Sequence, residues 1–191
     1  MLSKASSIDP DEISFRALTR NELPLMHRWL NTPHVLQWWG KPGPTLDEVE
    51  QKYLPRFTGT DPTQPYIIEY RRCPIGYIQL YLIEDYPDYS QYVGLDERAA
   101  GIDVFIGEVD LIHHGLGPIL LIRFLRDFVF ARSDVASCVI GPAISNKIAI
   151  RAYEKAGFVY FKTATIPEED EPEYLMRIGR EITETGASVS P

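Results

Sequence analysis

The sequence predicts an α/β fold, a mixed but mostly antiparallel central sheet flanked by helices. Three observations predict it. Short runs in the first half of the chain alternate apolar and polar residues, the period of a half-buried strand. Two of these runs, Tyr66-Ile-Ile-Glu-Tyr and Ile75-Gly-Tyr-Ile-Gln-Leu-Tyr-Leu-Ile-Glu, are joined by only the short link Arg71-Arg-Cys-Pro and read as a hairpin. The second half alternates strands with helices, the pattern of a crossover unit.

Taken in order, Ile13-Ser-Phe-Arg-Ala-Leu alternates as the first strand. Thr19 can cap a helix from about Arg20 to Trp29, where Leu23, Met26, Trp29 and Leu30 fall at helical spacing. Asn31-Thr-Pro reads as its stop and Lys41-Pro-Gly-Pro as a loop. Thr45, with Glu48 three residues on, makes a capping-box pattern that opens a second helix to about Tyr53. The hairpin follows, then a loop rich in Tyr and Asp, Asp85-Tyr-Pro-Asp-Tyr-Ser-Gln-Tyr, then the strand Gly101-Ile-Asp-Val-Phe-Ile-Gly. Gly115-Leu-Gly-Pro leads into an apolar helix from Ile119 to about Arg132. Ser137-Cys-Val-Ile-Gly is a strand. Ser145 precedes a helix from Asn146 to about Ala156, with Gly157 as its C-terminal cap. Phe158-Val-Tyr-Phe-Lys-Thr and Glu173-Tyr-Leu-Met-Arg-Ile end the sheet. One domain is expected over residues 12–181, with loose tails at 1–11 and 182–191.

Composition narrows the function. The 191 residues carry 27 acidic and 19 basic side chains, a net charge of −8. Phosphate backbones are bound by clustered Lys and Arg, so nucleic acid is an unsuitable partner. An acidic surface suits a small cationic partner. The two cysteines, Cys73 and Cys138, lie in strand-like apolar contexts and are expected as buried free thiols. No ligand set for a metal is visible, so no metal is expected. The N-terminus lacks the apolar core of a signal peptide, and the longest apolar run stops at Arg123, far short of a membrane span. The expectation is a cytoplasmic protein without a membrane partner, monomeric or homodimeric.

Two segments carry chemistry. Ile112-His-His-Gly-Leu-Gly-Pro follows a strand and opens a helix. Glycines there let the backbone approach a ligand, and a helix N-terminus offers free N–H groups and a positive dipole end to a pyrophosphate. Pro118 is tolerated in the first helical turn. About 30 residues later stands Asn146-Lys-Ile-Ala-Ile-Arg-Ala-Tyr-Glu-Lys-Ala-Gly-Phe, with the spacing N-x-x-A-x-x-x-Y-x-K-x-G-F.

Strand, G-x-G, helix, strand and this second helix together resemble the GNAT acetyltransferases. The two segments look like that superfamily's acetyl-CoA pyrophosphate loop and the helix beside the thioester. His34-Val-Leu-Gln-Trp-Trp-Gly, Tyr53-Leu-Pro-Arg, Pro65-Tyr-Ile, Pro74-Ile-Gly-Tyr and Gly101-Ile-Asp sharpen the likeness to aminoglycoside 6'-N-acetyltransferases, over roughly residues 13–180.

The resemblance implies acetyl-CoA as co-substrate. It implies that Phe105, Ile106, His113, His114, Gly115, Leu116, Gly117, Asn146 and Lys155 contact it. It implies that Asp103 lies beside the amine to be acetylated and that Tyr153 is the general acid. Chemistry gives both roles an independent reason. An amine attacks a thioester only as the free base, and an alkyl ammonium has a pKa of roughly 10, so a carboxylate that binds it and takes its proton helps. A departing thiolate, with a thiol pKa of roughly 8.5, gains from a hydrogen-bond donor. Trp38, Trp39 and Asp88 match the acceptor side of the family's site, and rings and carboxylates suit a polyamine sugar. One of the two tryptophans is expected in the core.

Two positions depart from the family. Gly141-Pro142 stands where it often has Asp-Pro, so one acceptor-binding carboxylate is absent there. Ile112 stands where the loop pattern usually has Gln or Arg. Three other readings compete. Siderophore-pathway acyltransferases share the Trp-Trp-Gly region but tend to carry a late His, and no His follows His114. Acetylation of a protein amine would call for a peptide groove, of which there is no signal. A non-catalytic acyl-CoA-binding module would be marked by loss of Asp103 or Tyr153, and both are present. No nucleophile arrangement stands out, so transfer is expected to be direct, in a ternary complex.

Overall fold

A computed structural model of the chain describes residues 8–39, 42–167 and 169–180. Most of the two expected tails, 1–7 and 182–191, lies outside these residues. Residues 8–11 are not loose: Pro10–Glu12 forms a turn capped by Asp9, and Arg123 donates to the Pro10 carbonyl.

Seven strands form one sheet in the order β1-β2-β3-β4-β5-β7-β6: β1 (Ile13–Ala17), β2 (Gln64–Tyr70), β3 (Cys73–Leu82), β4 (Ala99–Ile106), β5 (Ser137–Ile140), β6 (Val159–Ala164) and β7 (Glu173–Gly179). All neighbours pair antiparallel except β4 and β5, which are parallel. The β2–β3 turn puts Arg71 and Arg72 at φ 54° and 63°, the left-handed pair whose twist matches a two-residue hairpin. Cys73 therefore sits exposed at a turn rather than buried; Cys138 is buried as expected, and both thiols are free.

Six α-helices lie among the described residues: α1 (Leu23–Leu30), α2 (Pro33–Trp39), α3 (Leu46–Thr58), α4 (Pro87–Val93), α5 (Leu116–Phe124) and α6 (Lys147–Lys155). Two differ from expectation in kind. Asn31-Thr-Pro does end α1, but Pro33 also opens α2. Proline fits a first helical turn, and the Thr32 carbonyl takes the amides of Val35 and Leu36. The Tyr- and Asp-rich loop contains α4, closed by Gly94 at φ 61°. Helix α3 has the expected capping box but runs past Tyr53, through Pro55, to Thr58. The lost donor at Pro55 is tolerated because the far end is anchored. The Pro55 carbonyl accepts from the amides of Thr60 and Asp61, and Arg56 pairs with Asp61 at 3.0 Å. Helix α5 begins at Leu116 and passes at Leu125–Val129 into a wider π turn that stacks Phe124 on Phe128.

The sheet has two unlike faces. On one, Ile78, Leu80, Ile102, Cys138, Ile140, Met176 and Ile178 meet α5 and α6 in a continuous apolar core. On the other, two separate clusters cover the sheet. One joins α1–α3 to Ile67, Tyr77 and Phe105; the other joins α4 to Val139, Ala164 and Leu175. None of the described helices is long and apolar enough to cross a membrane.

Candidate active site

Strand β4 pairs with β3 from Ala100 to Ile106 but with β5 only from Ala99 to Gly101. Beyond Gly101 the two parallel strands part. The β4 edge from Ile102 to Ile106 then lacks a strand partner in a wedge that opens at the middle of the sheet. Unpaired strand edges accept extended ligands as an added strand. The far end of β4 is fixed from outside, since the His34 ring donates to the Ile106 carbonyl at 2.9 Å and Glu108 takes the Trp29 indole N–H at 2.8 Å.

Helix α5 starts beside this wedge. His113 and Gly115 both have positive φ, 65° and 81°, and with His114 they are exposed. The first-turn amides have no helical acceptor, and Pro118 in that turn has no N–H to lose. The amides of Leu116 and Gly117 therefore point out of the helix as a ready anion site. Leu116 itself is buried and seats the turn. Helix α6 packs next to α5. Asn146 caps α6 through the Ala149 amide at 3.1 Å, so its side chain is committed to the helix start. Lys155 is exposed in the last turn. Phe105 is buried against Trp29, Trp39 and Tyr77, which leaves its backbone rather than its ring for a ligand; Ile106 is half-buried.

On the opposite face, the gap between the two covering clusters is a cleft of about 180 Å³ lined by Arg56, Asp61, Thr63, Gln79, Tyr81, Tyr86, Tyr89 and Asp103. Asp103 forms part of its floor, directly across from Gln79 in the β3–β4 register. A chain of hydrogen bonds fixes the pair. Arg56 donates to Gln79 Oε1 at 2.7 Å and to the Tyr77 hydroxyl at 2.8 Å, and that hydroxyl donates to the same Oε1. The amide oxygen is thereby used up, and the Gln79 NH₂ faces Asp103 Oδ2 at 2.6 Å. Arg56 is in turn held by Asp61. Burial works against that acid's charge, but the Tyr86 hydroxyl, the Thr63 amide and Arg56 hold it down to about 2.

Asp103 moves the other way. Burial raises its pKa above the ordinary carboxylate value, against the Gln79 hydrogen bond and the Arg56 charge, which favour the anion. Tyr153, on the α6 face toward the sheet, is held protonated by burial and by the Asp103 charge, and its hydroxyl has no hydrogen-bond partner among the described residues. Asp103, with its raised pKa, and Tyr153, held protonated, thus lie on opposite faces of the sheet.

Several predicted acceptor-side residues lie elsewhere. Trp39 is the core member of the tryptophan pair, edge-on to Phe105 at 4.8 Å, while Trp38 is exposed. Asp88 is exposed in the first turn of α4, outside the cleft lining, and its neighbour Tyr89 enters the cleft. Arg56, Asp61, Gln79 and Tyr81 were not read as site residues from the sequence, whereas Tyr86 and Tyr89 belong to the Tyr- and Asp-rich loop whose rings were expected at the acceptor. The available signal was strand phase, since Tyr77, Gln79 and Tyr81 share the β3 face that pairs with Gly101, Asp103 and Phe105.

Comparison with known proteins identifies the family. The family model described as "Acetyltransferase (GNAT) domain" matches residues 19–166. An aminoglycoside N(6')-acetyltransferase type 1 from Klebsiella pneumoniae is 34% identical over 182 residues, covering 94% of this chain and 89% of that protein. The structure of AAC(6')-Ib in complex with paromomycin and acetyl-CoA superposes with a TM-score of 0.81 at 31% identity, over 94% of this chain and 100% of that one. The same enzyme with coenzyme A and kanamycin gives a TM-score of 0.79 at 30% identity, over 92% and 99%.

Proposed function

The chain belongs to the GNAT acetyltransferase family and is an acetyl-CoA-dependent N-acetyltransferase, and from that premise we propose that it acetylates the 6'-amino group of an aminoglycoside by direct attack in a ternary complex. The observation that carries this reading is the position of Asp103. It stands at the open edge of β4, within reach both of the wedge and of a cleft walled by carboxylates and tyrosines.

The residues fit acetyl-CoA on structural grounds. The outward amides of Leu116 and Gly117, with His113 and His114 alongside, would hold its pyrophosphate, and the free β4 edge would take its extended arm. Acetyl-CoA supplies the acyl group as a thioester. Asp103 pairs with the acceptor ammonium and takes its proton, a transfer made easier by a pKa lifted toward neutrality. Gln79 and Arg56 keep the Asp103 carboxylate aimed. Tyr153 donates its free hydroxyl to the leaving sulfur. The tyrosines of the cleft would offer apolar ring surface to a sugar. The relatives named as aminoglycoside acetyltransferases, one of them in complex with kanamycin, support the acceptor class.

The test is release of free thiol from acetyl-CoA over a panel of kanamycin- and gentamicin-type aminoglycosides, polyamines, lysine-derived hydroxylamines and peptides. Turnover on aminoglycosides with a 6'-amine, and none on those with a 6'-hydroxyl, is expected. Turnover confined to another class would overturn the acceptor and leave the family in place.

A further inference from the structure

Glu173 is a carboxylate that no role described so far uses. It opens β7, and the isolated bridge from Glu173 to Ala143 places it beside the end of β5. Leu175, two residues on, belongs to the cluster on the cleft face of the sheet, so alternation turns Glu173 to that face as well. Gly101 lies opposite Val139 in the parallel pair, which sets Gly141 at the height of Asp103, one strand over. The Glu173 carboxylate folds into the space above Gly141, where any Cβ would collide with Oε2 and Cδ. Glycine at 141 is what makes room for it.

The carboxylate is joined to the cleft lining by a hydrogen bond. Tyr89, which lines the cleft, donates its hydroxyl to Glu173 Oε2 at 3.1 Å. Its charge is felt by Tyr81 and Tyr89, and Asp103 and Glu169 repel it. Arg56, the cation of this cleft, is spent on Asp61, Tyr77 and Gln79 at the other end. Lys52 is in reach of the Asp103 charge and of Glu169, but no ion pair to Glu173 forms among the described residues. Two half-buried acids on one face, on either side of the wedge, are thus placed to take two ammonium groups.

We propose that Glu173 is a specificity-determining residue that binds a second ammonium group of the acceptor while Asp103 holds the one to be acetylated. This rests on the acceptor reading above and deepens it: the substrate class is an amino sugar with at least two amines, not a monoamine. Burial and Asp103 raise the Glu173 pKa to about 7, which an ammonium seated against it would reverse.

The experiment compares wild type, Glu173→Gln and the double variant Gly141→Asp/Glu173→Ala on two acceptors. One is kanamycin; the other is methyl 6-amino-6-deoxyglucoside, which presents a lone amine on the same kind of ring. Thermal melts and acetyl-CoA titration verify that each variant is folded. Loss of a charge-assisted contact should reduce the preference for kanamycin, read as the ratio of the two KM values, by about tenfold in Glu173→Gln. The double variant returns a carboxylate to the same space from β5 and should recover most of that preference. An unchanged ratio in Glu173→Gln, or a wild type that takes the monoamine with equal KM, overturns the proposal while leaving the acceptor reading intact. The opposite failure is also distinct. If no aminoglycoside is turned over but a simple diamine is, with a Glu173-dependent preference over its monoamine, the acceptor reading falls and the role of Glu173 stands.

Discussion

The two faces of the sheet solve different problems. The face under α5 and α6 is one continuous apolar core, in which Leu120, Leu121, Phe124, Leu125 and Phe158 are almost fully buried. The face under α1–α4 is covered in two pieces, and the gap between them holds Arg56, Asp61, Gln79, Asp103 and three tyrosines in a hydrogen-bonded cleft. The first face is an apolar core, and the second carries the cleft assigned above to the acceptor. In the proposed mechanism the wedge between β4 and β5 is where a reactant bound from one side meets a group held on the other. Chemistry at a boundary between a rigid layer and a polar one lets the two halves of the site vary separately.

Substitutions on the two faces should therefore separate activity from stability. The largest effect is expected at Asp103. Asp103→Asn should lower kcat/KM by about a hundredfold to ten-thousandfold with acetyl-CoA affinity retained, seen by steady-state kinetics beside calorimetric titration. Equal activity would remove Asp103 from the mechanism. Leu120→Ala, on the other face, should cost about 2–5 kcal/mol in urea unfolding while the folded enzyme keeps its KM for acceptor; a changed KM would mean the faces are coupled. Tyr153→Phe should lower kcat by about tenfold to a hundredfold with little change in acceptor KM.

Two pH effects are smaller and more diagnostic. The proposed mechanism needs Asp103 ionised, and its pKa is already raised, so activity should climb as pH rises through that value. Arg56→Met removes a cation that favours the anion and should move the acidic limb of the kcat/KM profile to higher pH; Arg56→Lys should restore part of it. Glu173 has a folded pKa of about 7 against an ordinary 4.5, so between these values the folded protein holds more protons than the unfolded chain and stability falls as pH rises. Glu173→Gln should melt higher than wild type at pH 8, and the gap should close as the pH is lowered through that window. A gap independent of pH would show that the ionisation of Glu173 is not felt by the fold.

The same contrast explains what could be read from the sequence. The apolar face and its ligand loop are local. Gly115 opens α5, Asn146 caps α6 and Gly157 closes it at φ 97°, each legible as a short motif with its own turn chemistry. The sheet strands were legible by alternation, and the capping box of α3 by two residues. The acceptor cleft is not local. Arg56, Asp61 and Thr63 are joined locally at the end of α3, but Gln79 from β3, Asp103 from β4 and Tyr89 from α4 reach them only in the folded chain, and no short window of sequence contains all these segments. Helices α2 and α4 were hidden because proline begins both, and a proline reads equally as a stop or a start. Gly141 is the sharpest case. A carboxylate missing from one strand is matched by one present on the next, and only the fold relates residue 141 to residue 173.

The short pairing of β4 with β5 has a mechanical side. Among the described residues the four-stranded panel β1–β4 and the three-stranded panel β5–β7 share a strand ladder of only three residue pairs, Ala99–Ser137, Ala100–Cys138 and Gly101–Val139. It is extended at one end by the Ala136 amide on the Arg98 carbonyl and by Glu97 with Ser137 and Arg177. The two panels are joined along a short seam, with α5 and α6 packed across one face of both. Whatever fills the gap above that seam ties the panels together and becomes a structural member for as long as it stays. Amide exchange in β5 and β7 should then report occupancy of the wedge, even though neither strand supplies a reacting group.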